Sequence, residues 1–463
     1  MSLNSFNLTE PQKAILNTEQ FFPNTSINNI SGRVVINSKI DVKLLEKAIN
    51  IFVKKNKNIR YQLNQNNDII TQYEKDYKSF PVDYINLTPE NKEEVFNSIS
   101  RRVFPLFDSP LYYFEIYETT DNTGGFFVCI HHLICDAWSM SILVNSIISI
   151  YSGLLKNENI DFSCDFDYSE FVNQEEKYKL SSRFEKDREF WNNLFDKNIF
   201  DDAFSGNLNT TSAISFEASR AEFKLTKSLT EKIIDFCKEI KTSPFTFILF
   251  LMGIYEGKIK QTDSVVLSSP ILNRSTMKEK ETFGLFVNNM LYKLNIDFNT
   301  SFYDCIKELN KCQFSYLRHQ KYPSQTLVED IKNKFNIKEN IYNTSVSYQN
   351  ARMNHSKDNI NYSTQWFFNG YSSIPLVLHI YDMDDTDNFS FIYDYQNCFF
   401  DNSQIKDIHS RILHICEQVM ENKDILIKDI QLVTDEEKDL ILNQFNNTFV
   451  EYDSTKTIID LFK

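Results

Sequence analysis

Strand followed by helix occurs in two separate stretches of this chain, and that recurrence limits the fold more than any single motif does. "SGRVVINSKI" reads as a strand and turn, and "DVKLLEKAINIFVKKN" after it sets Leu45, Ala48, Ile49, Phe52 and Val53 on one helical face, with Asp41 as N-cap. Later the order returns: strand "RAEFKL", helix "SLTEKIIDFCKEIK", then "SPFTFILFLMGIYEGKI", where Ser243 caps and Pro244 fits the first turn, then strand "SVVLSSPI". Between the two stretches, "EFVNQEEKYKLSSRFEKDREFWNNLF" is a charged helical connector, followed by the polar piece "SGNLNTTSAISFEAS". A chain of 463 residues is too long for one ordinary core, so two lobes of roughly 150 to 250 residues are expected. Two α/β lobes facing each other form a cleft.

Charge and composition remove several classes of function. A formal charge of −14 and a pI near 5.1 oppose a nucleic-acid partner, because such binders need a basic face to displace counterions. The N-terminus, "MSLNSFNLTEPQ", lacks the basic start and apolar core of a signal peptide. No uninterrupted run reaches the roughly 18 apolar residues of a membrane span. A cytoplasmic protein without membrane contact is therefore expected. Eight cysteines, at 129, 135, 164, 237, 305, 312, 398 and 416, form no CxxC pair and read as reduced thiols.

The candidate chemistry lies in "GGFFVCIHHLICDAWS", residues 124–139. "LYYFEIYETT" and "GGFFVCI" are strand-like runs separated by the turn "DNTGG", and beyond the histidines Ile142, Leu143, Ile147, Tyr151 and Leu154 recur at helical spacing. The pair His131 and His132 thus stands in a strand-to-helix loop. Adjacent strand side chains point to opposite faces, so one histidine faces a substrate and the other supports it. A histidine at the end of a buried strand is readily tuned to a neutral imidazole that accepts a proton near pH 7. Asp136 is placed to cap the next helix or to pair with a cation. The same three residues also fit a purely structural loop, and spacing alone leaves both readings open. Metal binding is disfavoured because no third ligand is near, and Cys135 reads as apolar filler.

"HHLICDAWS" resembles the HHxxxDG motif of the condensation domains of nonribosomal peptide synthetases, members of the chloramphenicol-acetyltransferase-like superfamily. "LTEPQKAIL", "NIRYQL", "DYSEFV", "LNRSTMKEKETFGLFVNNM", "RHQKYPSQTL" and "SVSYQN" follow in that family's order, so the resemblance covers about residues 5 to 435. It implies an α/β (α+β) fold of two acetyltransferase-like lobes in a V-shaped pseudo-dimer with a central tunnel. Residues 1–176 would form the N-terminal lobe and 177–435 the C-terminal lobe. Residues 436–463 would be a linker and the start of a following adenylation domain.

By the same resemblance His132 assists an acceptor amine in attacking a donor thioester, with His131 in support. Asp136 pairs with Arg274, or with Arg60, the only residue carried over from the degraded first-helix signature "KKNKNIRYQL". Ala137, Trp138 and Ser139 complete the motif; Ala137 stands where the family usually has glycine, which questions whether the backbone there needs φ > 0. No covalently bound cofactor is implied. The substrates are the phosphopantetheine arm of a peptidyl carrier protein bearing an amino acid and, as donor, a fatty acyl-CoA or an upstream carrier protein. A monomer within its synthetase is expected. "KAILNTEQFFPNTSINNISG", "RFEKDREFW" and "RHQKYPSQTL" look most like the starter, fatty-acylating subtype of lipopeptide synthetases, and a start at Met1 with no carrier ahead agrees. Elongating condensation is the alternative, followed by epimerisation and a noncatalytic recruiting module.

Overall fold

The computed structural model describes the chain except residues 1–4, 159–166, 201–214, 350–355, 358–359, 383–387, 450, 452–456 and 463. Cys164, most of "SGNLNTTSAISFEAS" and the last residue of "SVSYQN" lie outside the described residues. The strands that build the two large sheets are, in chain order, β1 (Asn29–Ile36), β2 (Asp83–Leu87), β3 (Tyr112–Thr119), β4 (Gly124–His131), β5 (Ala218–Lys224), β6 (Ser264–Ile271), β7 (Asn288–Asn295), β8 (Thr344–Gln349), β9 (Ser356–Lys357), β10 (Ile360–Phe367), β11 (Leu376–Tyr381) and β12 (Ser390–Gln396). The first lobe has the six-stranded order β9-β10-β1-β4-β3-β2 and the second β7-β6-β8-β11-β12-β5. A small sheet of Ser5–Phe6, Ile69–Glu74 and Tyr61–Asn66 flanks the first lobe.

Local signals place the helices against these sheets. Asp41 caps Val42–Lys55 by accepting from the Leu44 N–H, and the expected face Leu45, Ala48, Ile49, Phe52 and Val53 is wholly buried. Ser243 accepts from Thr246 N–H with Pro244 first in the helix Pro244–Lys260, which is buried along most of its length in the second lobe. Each lobe encloses its own apolar core.

The connector is helical, as expected, and in two pieces: it breaks at Leu180–Ser181, where Ser181 caps a second helix, Ser182–Leu194, after Tyr168–Lys179. Tyr168, Phe171 and Val172 enter the first core and Trp191 and Phe195 the second, so each piece is anchored in a different lobe. The assignment of 177–435 wholly to a second lobe fails for two strands, since β10 pairs antiparallel with β1, carries β9 on its outer edge and puts Tyr362 into the first core. Phe283 and Phe286, from the loop after β6, are likewise buried in the first core. Each buried phenylalanine contributes about 1.5–3 kcal/mol, so this apolar insertion helps to hold the lobes together. Finally, Ala137–Leu155, at 19 residues, is long and apolar enough to cross a bilayer, although no run of uninterrupted apolar residues signalled it. In the fold it packs in the core, with Met140, Leu143, Val144, Ile147 and Ile148 buried.

Candidate active site

β4 is buried along its whole length between β1 and β3, and it delivers the two histidines at its end in different surroundings. His131 is enclosed, and both its ring nitrogens are used: Nδ1 accepts from the Leu133 N–H at 3.2 Å, so the proton sits on Nε2 and is donated to Glu19 at 3.1 Å. Glu19 also accepts from the Asn28 side chain at 2.6 Å, and the Asn28 carbonyl accepts the His132 N–H at 2.7 Å. One buried carboxylate therefore fixes the ring of the first histidine and, through Asn28, the backbone of the second. Sequence reasoning did not find Glu19, which lies 112 residues away from His131. Its one signal was a carboxylate in register with Gln12 and Leu16 on one face of the first helix, Glu10–Phe21.

His132 is half-buried, and its ring makes no hydrogen bond among the described residues; Nδ1 is buried without a partner. Burial pushes its imidazole below the ordinary value, against the opposing pull of the Asp136 charge, so the ring is neutral at physiological pH. The ring lines a cavity of about 250 Å³ between the lobes. Asn29, Ile30, Ser31, Ala137 and Met140 line it from the first lobe, Trp366, Phe367 and Phe368 from the crossing strand and its end, and Arg220, Gln349, His379, Tyr381 and Asp394 from the second.

Asp136 points away from this cavity. It caps Ala137–Leu155 by accepting from the Ser139 N–H at 2.8 Å, receives the Phe286 N–H at 3.0 Å, and takes one Nη of Arg274 on both oxygens at 3.0 Å. Burial raises its carboxyl, but Arg274 and these N–H donors outweigh burial, and the net direction is down. Arg274 donates further to the Glu279, Thr282 and Gly284 carbonyls and stacks on Phe286 at 4.0 Å. Ser139 Oγ accepts from the Gly284 N–H at 3.0 Å, and Trp138 Nε1 donates to the Lys280 carbonyl at 2.7 Å. The motif thus staples the loop from the second lobe. Gly284 allows the approach, since a Cβ there would meet Tyr168 Cδ2 at 2.5 Å.

Of the two arginines considered, Arg274 is the partner. Arg60 instead closes the end of Val42–Lys55 by donating to the Val53 and Lys54 carbonyls, pairs with Glu74, and lines a separate recess of about 450 Å³. Ala137 has no positive φ, so alanine in place of glycine imposes no backbone strain; its methyl simply borders the cavity. Cys135 is buried with its thiol pushed well above the ordinary value, which suits filler rather than nucleophile. No cluster of metal-ligating side chains occurs among the described residues.

Arg220, Asp394 and His379 were not anticipated from the sequence. Arg220 donates to Asp394 through Nε at 2.6 Å and Nη at 2.8 Å, and His379 Nε2 lies 3.1 Å from the same carboxylate. Burial raises Asp394, but the Arg220 and His379 bonds reverse it and bring its pKa to about 2.

With this geometry in view, the comparisons with known proteins are consistent. The family model described as "Condensation domain" matches residues 3–442. The chain is 29% identical over its whole length to a surfactin synthase of Bacillus subtilis (strain 168), and 27% identical, again over its whole length, to a plipastatin synthase of the same strain. It spans only 13% and 18% of the lengths of those two proteins. In fold it is similar to the first condensation domain of the CDA synthetase, with a TM-score of 0.77, 14% identity and coverage of 93% of this chain and 99% of that one. It is also similar to a mutant starter condensation domain of rhizomide synthetase in complex with C8-CoA, with a TM-score of 0.79, 16% identity and coverage of 92% and 97%.

Proposed function

This chain belongs to the condensation-domain family, the amide-bond-forming acyltransferases of nonribosomal peptide synthetases, and from that premise we propose that His132 assists the amine of a carrier-bound amino acid in attacking a donor acyl thioester. The observation that carries this reading is the half-buried His132 ring, without a hydrogen-bond partner among the described residues, in a cavity lined by both lobes and beside a histidine whose nitrogens are both engaged. A neutral imidazole accepts a hydrogen bond from the attacking amine. As the C–N bond forms and the C–S bond breaks, the amine proton passes by way of the imidazole to the departing thiolate.

The donor in this reading is a fatty acyl-CoA, which makes the chain a starter domain. The apolar side of the cavity, formed by Ile30, Met140, Trp366, Phe367 and Phe368, supports an acyl chain as the group placed there. The whole-length relationship to surfactin and plipastatin synthases, against 21–22% identity to tyrocidine and gramicidin S synthases, supports the same assignment. The partners are a phosphopantetheine-bearing carrier protein and an adjacent adenylation domain. The test is to supply aminoacyl carrier protein with acyl-CoAs of graded chain length and, separately, with an aminoacyl donor carrier. N-acylated amino acid from the first mixture is expected; dipeptide from the second alone would establish elongation instead.

A further inference from the structure

The cavity beside His132 is asymmetric. Its first-lobe and crossing-strand side is mainly apolar, whereas its second-lobe side carries Arg220, Asp394, His379, Gln349 and Tyr381. Strand alternation creates the polar side: in β11, Leu376, Leu378 and Ile380 are buried in the second core, and Val377, His379 and Tyr381 project the other way. Asp394 on β12 sits opposite both Val377 and, on β5, Arg220, so the three charged or titratable groups share that face.

A carboxylate held by Arg220 only accepts hydrogen bonds, so the His379 nitrogen at 3.1 Å from it, Nε2, carries the proton. In this Nε2–H tautomer the lone pair lies on Nδ1, which takes no hydrogen bond among the described residues. Asp394 is buried and Arg220 is mostly so, with its guanidinium over the Phe368 ring at 4.7 Å, while His379 is 22% exposed in its side chain and borders the cavity. Taking an ion pair out of water adds little net stability to a sheet that already has an apolar core on its other face. What the pair does here is lock one imidazole into one tautomer and one orientation beside the reaction cavity.

Resting on the reading of function above, we propose that His379 is the acceptor-amine docking group: its Nδ1 accepts an N–H of the incoming aminoacyl thioester's amino group. Asp394 and Arg220 act through it as positioning residues. The amine then lies between two imidazoles, with the acyl chain against the apolar side. The acceptor is chosen over the donor because an acyl chain has no N–H to donate near its carbonyl, whereas an amine does.

The test uses the full chain with a panel of aminoacyl-N-acetylcysteamine thioesters as acceptors and, as donors in parallel, octanoyl-CoA and an N-acetylaminoacyl thioester. His379→Phe removes the nitrogen and keeps a ring; His379→Asn restores a short acceptor. The side chain is partly exposed, so both variants are expected to fold, and melting curves check this. His379→Phe is expected to raise the acceptor KM about tenfold, the loss of one hydrogen bond, with the donor KM changed less than about twofold; His379→Asn recovers part of that loss. An unchanged acceptor KM in His379→Phe, or an equal rise in both KM values, overturns the inference while leaving the function standing. Absence of amide from the wild type with every pair overturns the function itself, and this inference with it.

Discussion

Asp136 and Asp394 each hold an arginine distant in sequence, Arg274 and Arg220, at 2.6–3.0 Å, and in both cases the pairing outweighs burial and keeps the carboxyl below its ordinary value. They differ in what lies behind them. The Arg274 side chain is fully enclosed and its Nη groups also donate to backbone carbonyls of the 272–287 loop, whereas Arg220 is 26% exposed in its side chain and borders the cavity. The same chemistry therefore serves as a fastener between lobes in one place and as a mount for a cavity-facing ring in the other. An Asp–Arg pair acquires its role from what its remaining donors and neighbours touch.

The comparison makes graded predictions on stability. Asp136→Ala strands Arg274 in a closed interior and should cost about 3–5 kcal/mol, read as a lower urea midpoint. A cost below that of Asp394→Ala would break the contrast. The Asp394 pair should show itself in acid. A carboxyl held near 2 in the fold and near 3.8 unfolded adds stability that is present above pH 3.8 and is lost as pH falls through about 2. Wild type should accordingly lose about 2 kcal/mol over that window relative to Asp394→Asn, measured by urea unfolding at each pH. Trp138→Phe removes one hydrogen bond across the lobes and should lower stability by about 1 kcal/mol with little change in rate. Smallest of all, Ala137→Gly should cost less than about 1 kcal/mol and leave amide formation unchanged, because no left-handed backbone is needed there.

Much of this was legible along the chain where a contact is local. Asp41, Ser243 and Asp136 cap helices within three residues of themselves, and the buried face of Val42–Lys55 follows from its period. The different surroundings of His131 and His132 were foreseen from strand alternation, but the chain reaches them by another route: His131 ends β4 and His132 opens a tight helical turn. The assignment of Asp136 to Arg274 came from family resemblance, since the two are 138 residues apart and nothing in their spacing joins them. Glu19, His379 and Asp394 escaped notice because each looks ordinary in its own strand or helix and gains meaning only when a distant strand is laid beside it. The crossing of β10 into the first lobe was hidden for the same reason: alternation shows which residues share a face, but not which sheet receives the strand.

The central claim is that the His132 imidazole, and not the fastener behind it, performs the chemistry. It is tested most directly by the rate of amide formation in His132→Ala on loaded carrier protein with a saturating donor, product being followed by mass spectrometry and unfolding measured on the same sample. A rate about 10²–10⁴ lower with an unchanged unfolding midpoint is predicted. A rate within twofold of wild type would contradict the account.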